Sequence, residues 1–339
     1  AKGPVVEGSV FVVRLIKRVV RRPDKYFQRS FWRVLLNEAQ ILSRGMVLYS
    51  VPALVKRASG VRQLRAYIFP SPMDRFQRAD IYVAWKALRL SDVTMSTDNP
   101  DDADIALAWH PATSYDQDDL LVRRLHTRMN VLNARCTDIR KSTVDAVFKE
   151  IFGYSLAIDP RTHAGPILRK SEKNGAHDAV LLKGPLDEVE PDHVYQRLVS
   201  YPTELGNAEF RVFIVAHRPV AVHRTYRPCN DRFRLKPTSG KISTVEADFT
   251  PEERALIAAF ADRIGLDFGV LDILRDGESG RIYICDCNNT PTGPMAILPI
   301  REQRAVLRQV GEALEREYLA PLRARPRRSF GKLAQTNRL

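Results

Sequence analysis

The sequence predicts an α/β protein, and three observations carry that prediction. Short Val-, Ile- and Leu-rich runs of strand length alternate with segments of helical period. Two such runs near the carboxyl end, Gly269-Val270-Leu271-Asp272-Ile273-Leu274 and Arg281-Ile282-Tyr283-Ile284-Cys285-Asp286-Cys287-Asn288, flank the polar turn Arg275-Asp276-Gly277-Glu278-Ser279-Gly280. They predict a β-hairpin. Helical segments at 138–152 and 251–264 stand among the strands, the first stopped by Gly153.

Composition bounds the rest. With 339 residues, 44% hydrophobic and 27% charged, the chain is long enough for two or three packed domains. Cys136, Cys229, Cys285 and Cys287 have neither disulfide-framework nor zinc spacing, which predicts a reducing compartment. Cys285 and Cys287, two apart on one strand face, are expected to fill a core. No run reaches membrane-span length, and Arg14, Lys17 and Arg18 break the apolar stretch from Val10 to Val20, so it makes a poor signal peptide. A cytoplasmic protein is expected. The net charge of +13 is gathered at the two ends. Residues 1–78 hold 16 Lys/Arg against 4 Asp/Glu, and the last 19 residues hold 6 Lys/Arg and no acid.

In chain order, Arg14, Arg18, Arg21 and Arg22 fall opposite Val12, Leu15, Ile16 and Val19 at helical spacing, and Pro23 ends the segment. A second amphipathic helix is predicted over 27–43, with Phe31, Leu35, Leu36 and Ile41 as its apolar face. Residues 1–65 therefore read as a basic helical extension. The favoured reading is an arm docked on the protein's own body. The alternative is an anionic membrane surface or acidic partner met through residues 11–65, which would make the protein membrane-peripheral. Nucleic acid is disfavoured, because aromatics do not interleave the basic residues in a stacking pattern. Beyond the extension, Tyr67-Ile68-Phe69-Pro70 predicts a strand, residues 79–89 a helix and Ala103-Asp104-Ile105-Ala106-Leu107-Ala108-Trp109 a buried strand. Together they predict a small α/β domain over 66–138. Asp116, Asp118 and Asp119 read as a helix start and not as a metal site.

Lys141 opens the next helix. Pro166-Ile167-Leu168-Arg169-Lys170 predicts a strand, joined by the polar loop 171–178 to Ala179-Val180-Leu181-Leu182-Lys183. Two lysines so placed can face phosphate as point charges, although the loop matches no phosphate-binding motif and most lysines only solvate a surface. Further strands are predicted at Val194-Tyr195-Gln196-Arg197-Leu198-Val199, Glu209-Phe210-Arg211-Val212-Phe213-Ile214-Val215 and Pro219-Val220-Ala221-Val222. Alternation puts Glu209, Arg211 and Phe213 on one face. Arg224, Arg227, Arg232, Arg234 and Lys236 then cluster before a turn at Ser239-Gly240, suited to phosphate or carboxylate. For any one of these, a solvated loop is the plain alternative. His217 and His223 lie near this region, have no motif spacing and receive no role.

The hairpin carries the sharpest signal. Alternation places Ile282, Ile284, Asp286 and Asn288 on one face, and folding about Glu278 sets Asp272 opposite Ile284, one diagonal step from Asp286. Two carboxylates and an amide on an otherwise apolar sheet are unfavourable unless a cation joins them. Oxygen-only ligands suit a hard cation such as Mg²⁺, shared with substrate phosphates. A solvated sheet face is the competing reading, and the flanking positions are too apolar for it.

This order of parts resembles the ATP-grasp superfamily: Lys141 at a helix start, Lys170 on a strand, Gln196-Arg197-Leu198-Val199, Glu209-Phe210-Arg211, a basic loop, then Gly269, Asp272 and Asp286-x-Asn288. In layout it is similar to the glutathione synthetase and ribosomal-protein glutamate ligase branch, over about residues 138–320. The resemblance implies an ATP-grasp domain at 139–320 whose lobes, 139–195 and 196–320, grip ATP. The small α/β domain precedes it and a basic tail, 321–339, follows. Asp272, Asp286 and Asn288 would then hold Mg²⁺ (or Mn²⁺), and Lys141 and Lys170 would contact the α- and β-phosphates. The backbone of Gln196, Arg197 and Leu198 would meet the adenine edge. Glu209, or else Glu204, would take the ribose hydroxyls. Arg211 and Arg224 would sit near the γ-phosphate and an acyl phosphate. The chain departs from the family pattern at Asp286, where many members have Glu, in the glycine-poor loop 171–178, and at Leu235, near a position often held by Asn.

The chemistry so implied is the ATP-dependent joining of a carboxylate to an amine, with small-molecule acid and amine substrates and a homo-oligomeric protein. Two alternatives stand beside it. One is an ATP-grasp kinase acting on a small anionic hydroxyl compound. The other is a non-catalytic module that works through its basic arm.

Overall fold

Apolar runs of strand length and capped helices build three sheets here. The computed structural model describes residues 58, 60–69, 81–97, 99–116, 119–233, 236–294 and 296–325. The two helices predicted within residues 1–57, the residues Arg234 and Leu235, and the tail beyond 325 lie outside the described residues. The chain divides into two units, Ala1–Val51 and Pro52–Leu339, and everything described belongs to the second.

The first sheet is parallel. Strands β1 (Leu64–Phe69), β2 (Val93–Ser96), β3 (Ile105–Ala108) and β4 (Asn130–Leu132) lie in the order β2-β1-β3-β4. Helices α1 (Val83–Leu90) and α2 (Asp119–His126) make the crossovers. All four residues of β3 are buried, as a parallel strand covered on both faces requires. These elements span residues 64–132. Strands β2 and β4 are too short to announce themselves as apolar runs.

Helix α3 (Lys141–Phe152) ends at Gly153, whose φ of 76° is the left-handed cap the sequence called for. It leads into an antiparallel sheet ordered β6-β5-β7, made of β5 (Gly165–Ser171), β6 (Val180–Gly184) and β7 (His193–Arg197). The third sheet has β8 (Pro202–Thr203) beside β9 (Gly206–Val215). Its main order is β11-β10-β9-β12-β13, with β10 (Arg218–Arg227), β11 (Ser239–Ser243), β12 (Phe268–Arg275) and β13 (Ile282–Asn288). Strand β10 runs five residues past the predicted Val222, and Ser239-Gly240 begins a strand instead of making a turn. Arginines at every second or third position had hidden that extension.

Helices α4 (Val245–Asp248) and α5 (Pro251–Ile264) precede β12. Thr250 caps α5. Its hydroxyl accepts from the Glu253 N–H at 3.2 Å, and the Glu253 carboxylate accepts from the Thr250 N–H at 3.0 Å. Helix α6 (Ile300–Leu314) and the short α7 (Ala320–Ala324) close the described chain, joined by one π-helical turn.

Residue parity divides the large sheet between two cores. Leu271 and Ile273 join Phe148 of α3 and Ile257 and Phe260 of α5 in one. Phe268 and Val270 point the other way, into a core shared with Leu64 and Ile105 of the parallel sheet and with Val306 and Val310 of α6. The small α/β domain is therefore welded to the large sheet. Asn133, after β4, reinforces the weld: its side chain donates to the Phe268 carbonyl at 2.7 Å and accepts from the Phe268 N–H at 2.9 Å. Its own N–H donates to Asp267 Oδ2 at 2.7 Å. No helix among the described residues is long and apolar enough to cross a membrane.

Candidate active site

Strand register sets a row of side chains across the large sheet. Asp286 of β13 pairs with Asp272 of β12, Asp272 with Arg211 of β9, and Arg211 with His223 of β10. The carboxylates stand directly opposite each other, not on a diagonal. A bulge between Asp272 and Ile273 leaves Cys285 out of the register, so Ile284 faces Ile273 where it was expected to face Asp272. The same bulge breaks strict alternation. Ile284 and Cys287, three apart, both enter the core, whereas Cys285 is only half-buried at its edge, with its Sγ–H on the Asp272 carbonyl at 3.3 Å.

The row is short of positive charge. Burial, and then the charge of Asp272, push Asp286 up to about 6 against the pull of Lys141 and Lys170. Asn288 Nδ2 donates to Asp272 Oδ2 at 3.2 Å, and its Oδ1 accepts from Asn174 Nδ2 at 3.3 Å. Arg211 Nη1 lies 3.5 Å from Asp272 Oδ1, and Nη2 donates to the Thr292 carbonyl at 3.4 Å. Among the described residues no three His, Cys, Asp or Glu side chains converge. The set is two carboxylates and one amide, which fits a Mg²⁺ that takes its remaining oxygens from phosphate and water. Two carboxylates set directly opposite each other, with the Asn288 amide beside them, are the observation in favour of that fit.

The three-stranded sheet and α3 bring the lysines to the same place. Lys141 is buried in the first turn of α3, and its Nζ donates to the Lys173 carbonyl at 2.9 Å. Burial lowers its pKa, and the charge of Asp286 opposes that. Lys170 Nζ donates to Gln196 Oε1 at 2.9 Å, so the lysine of β5 rests on the buried glutamine of β7. The loop 171–178 between β5 and β6 folds over this group. Besides the Asn174 contact to Asn288, the Asn174 N–H donates to Thr113 Oγ1 at 2.9 Å, and Glu172 Oε2 accepts from the Ser142 N–H at 3.1 Å. Arg197 follows Gln196 with its N–H on the Leu156 carbonyl at 3.0 Å, and Leu198 lies just past the strand end.

Glu209 joins the group and Glu204 does not. Glu209 is ion-paired with Arg227, its pKa is raised by burial against the pull of Arg227, and it senses Asp272 and Lys170. Glu204 is exposed in the turn between β8 and β9. Arg232 donates to the Val199 carbonyl beside them, while Lys236 is exposed.

Arg224 is the predicted residue that the structure keeps apart. It ion-pairs with the buried Asp248 and lies half-buried, 5.4 Å over the ring of its ladder partner Phe210, on the opposite face of the sheet from Arg211. Parity is the reason. Strand β10 continues through Arg227, so the residue that shares the face of Arg211 is His223. Reading alternation across the arginines would have found it. Nothing in the sequence marks Asn174, Thr113 or the Thr292 carbonyl.

No known family model matches the chain, and no curated protein sequence does. Solved structures similar to it include the ATP-grasp ligase PsnB in complex with a minimal precursor, at 15% identity over 75% of this chain and 98% of that one, with a TM-score of 0.48. D-alanine–D-alanine ligase from Bacillus anthracis is similar at 11% identity over 77% of this chain and 99% of that one, with a TM-score of 0.46. The D-cycloserine synthetase DcsG is similar at 13% identity over 76% and 99%, with a TM-score of 0.44. These similarities are loose in sequence and in shape, and the site stands on its own geometry.

Proposed function

We propose that this chain is an ATP-grasp enzyme that joins a carboxylate to an amine using ATP. One observation carries the reading: two facing carboxylates on the large sheet are met by Lys141 and Lys170 from the neighbouring sheet and helix. Opposite charges converge there from separate elements, with the buried Gln196 and the half-buried Glu209 beside them.

In this reading Asp272, Asp286 and Asn288 would hold Mg²⁺, the Asn288 oxygen being the one that accepts from Asn174 here. A bound Mg²⁺ supplies Lewis-acid stabilisation of charge on phosphoryl oxygens. Lys141 and Lys170 bind phosphate as point charges, and Gln196 fixes the height of Lys170. The segment 196–198 receives the base, and Glu209 is the better placed of the two glutamates for the ribose. Arg211, beside Asp272, meets the phosphoryl group in transfer, and Arg224 holds α4 to the sheet. The carboxylate oxygen of the acid attacks the terminal phosphorus of ATP and ADP leaves. The amine then attacks the acyl carbon, an amide forms, and phosphate and a proton depart. Charge builds on oxygen in both steps, so fixed cations supply the stabilisation and no nucleophilic Ser or Cys is needed.

ADP release is the test, screened with Mg²⁺ against pairs of amino acids and small acids. Release that requires an acid and an amine together is the expected result. A phosphorylated product formed without any amine would make the enzyme a kinase. Failure to bind Mg·ATP would end the reading. Asp286→Asn is expected to lower turnover by about 100-fold or more, since metal stabilisation is worth several kcal/mol.

A further inference from the structure

Arg211 has a weak hold on its position. Its one ion pair among the described residues is to Asp272, a carboxylate that a bound cation would claim. Its Nη2 contact to the Thr292 carbonyl is long, and its Nε is buried without a partner. Directly across the ladder stands His223, fully buried, with neither ring nitrogen partnered among the described residues. Directly opposed residues of an antiparallel pair hold their Cβ atoms about 4.5–5.5 Å apart, so these two side chains can meet.

A space-filling role does not account for the imidazole. Its ring packs 5.6 Å from Phe213 in an apolar layer, where another phenylalanine would bury no polar nitrogen. Burial and the guanidinium next to it keep the ring neutral, which leaves one ring nitrogen as an acceptor. Arg211 lacks an acceptor for one N–H, and His223 lacks a donor for one lone pair.

We propose that His223 is a positioning residue whose neutral imidazole accepts the Nε–H of Arg211 and holds the guanidinium in place when Asp272 turns to a cation. This rests on the reading of the row as an ATP site. With Nε fixed, the planar fork keeps its two terminal nitrogens aimed along the row toward β12. The contact belongs to the working state, in which Asp272 no longer anchors the arginine.

The test follows the Nε–H of Arg211 by NMR in the ¹⁵N-labelled full chain, assigned by its loss in Arg211→Lys, without nucleotide and with Mg·AMPPNP. In the unaltered chain with Mg·AMPPNP, exchange of this proton with water is expected to be slow. In His223→Phe it is expected to be at least ten times faster. In His223→Gln, whose amide oxygen also accepts, protection is expected to return. His223→Leu serves as a second apolar variant if Phe overpacks, and melting temperatures check that each variant is folded. Binding of Mg·AMPPNP with exchange unchanged in the apolar variants overturns the role of His223 alone. Failure of the unaltered chain to bind Mg·AMPPNP overturns the site reading and this role together.

Discussion

A neutral histidine sealed beside a guanidinium makes the fold sensitive to acid. Burial first, and the charge of Arg211 second, hold His223 near 3, far below its ordinary 6.5. Below pH 6.5 the unfolded chain therefore takes up a proton that the folded chain refuses. The contribution is complete above the unfolded value and is lost as pH falls, at about 1.4 kcal/mol per unit. Between pH 6.5 and 5 the loss is about 2 kcal/mol by the same linkage. Urea midpoints of His223→Phe measured against the unaltered chain should show this part of the pH dependence gone. The carboxylate row predicts an opposite trade. Without a cation, Asp286→Asn removes a buried like-charge contact and should raise stability by about 1–3 kcal/mol. The variant should then gain almost nothing from Mg·ATP. A thermal melt with and without Mg·ATP reads both effects.

Elements with an uninterrupted pattern were legible in the sequence. Helix α5 occupies the predicted residues because Thr250, Pro251 and Gly265 mark both ends. Thr250→Ala should cost about 1 kcal/mol, seen as a lower urea midpoint. The hairpin β12–β13 was equally plain, but its register was not, because a period of two cannot reveal one inserted residue. Asp272 therefore came to face Asp286 by a bulge that no composition signals. Charged residues inside a strand hid the length of β10, whose parity sets His223 and not Arg224 opposite Arg211. The lysines and hairpin carboxylates were singled out because each stands at the end of, or inside, a clear element. Asn174 and Thr113 were not, because loop contacts carry no period. Gly269 shows how tightly the hairpin is built: a Cβ there would lie 2.5 Å from the Asn288 carbonyl oxygen. Gly269→Ala should cost about 1–3 kcal/mol and displace the backbone of Asn288. Weaker Mg·ATP binding, measured by calorimetry, is the expected functional consequence.

At the scale of the whole molecule, the parallel sheet and the large sheet behave as one body. Asn133 bridges them with a buried side chain at a φ of +59°, a conformation asparagine tolerates better than most residues. Asn133→Leu strands the Phe268 N–H and carbonyl, and it should cost about 2–4 kcal/mol. A single unfolding transition that moves as a unit in this variant would confirm that the two sheets share their stability. The shared core also sets a timetable. Leu64, Ile105 and Leu107 lie early in the chain, yet they are covered by Val306, Leu307 and Val310 of α6. On the ribosome the parallel sheet is made well before α6. Until α6 emerges, the part of this core that Val306, Leu307 and Val310 cover stays open, so the growing polypeptide offers chaperones a binding surface.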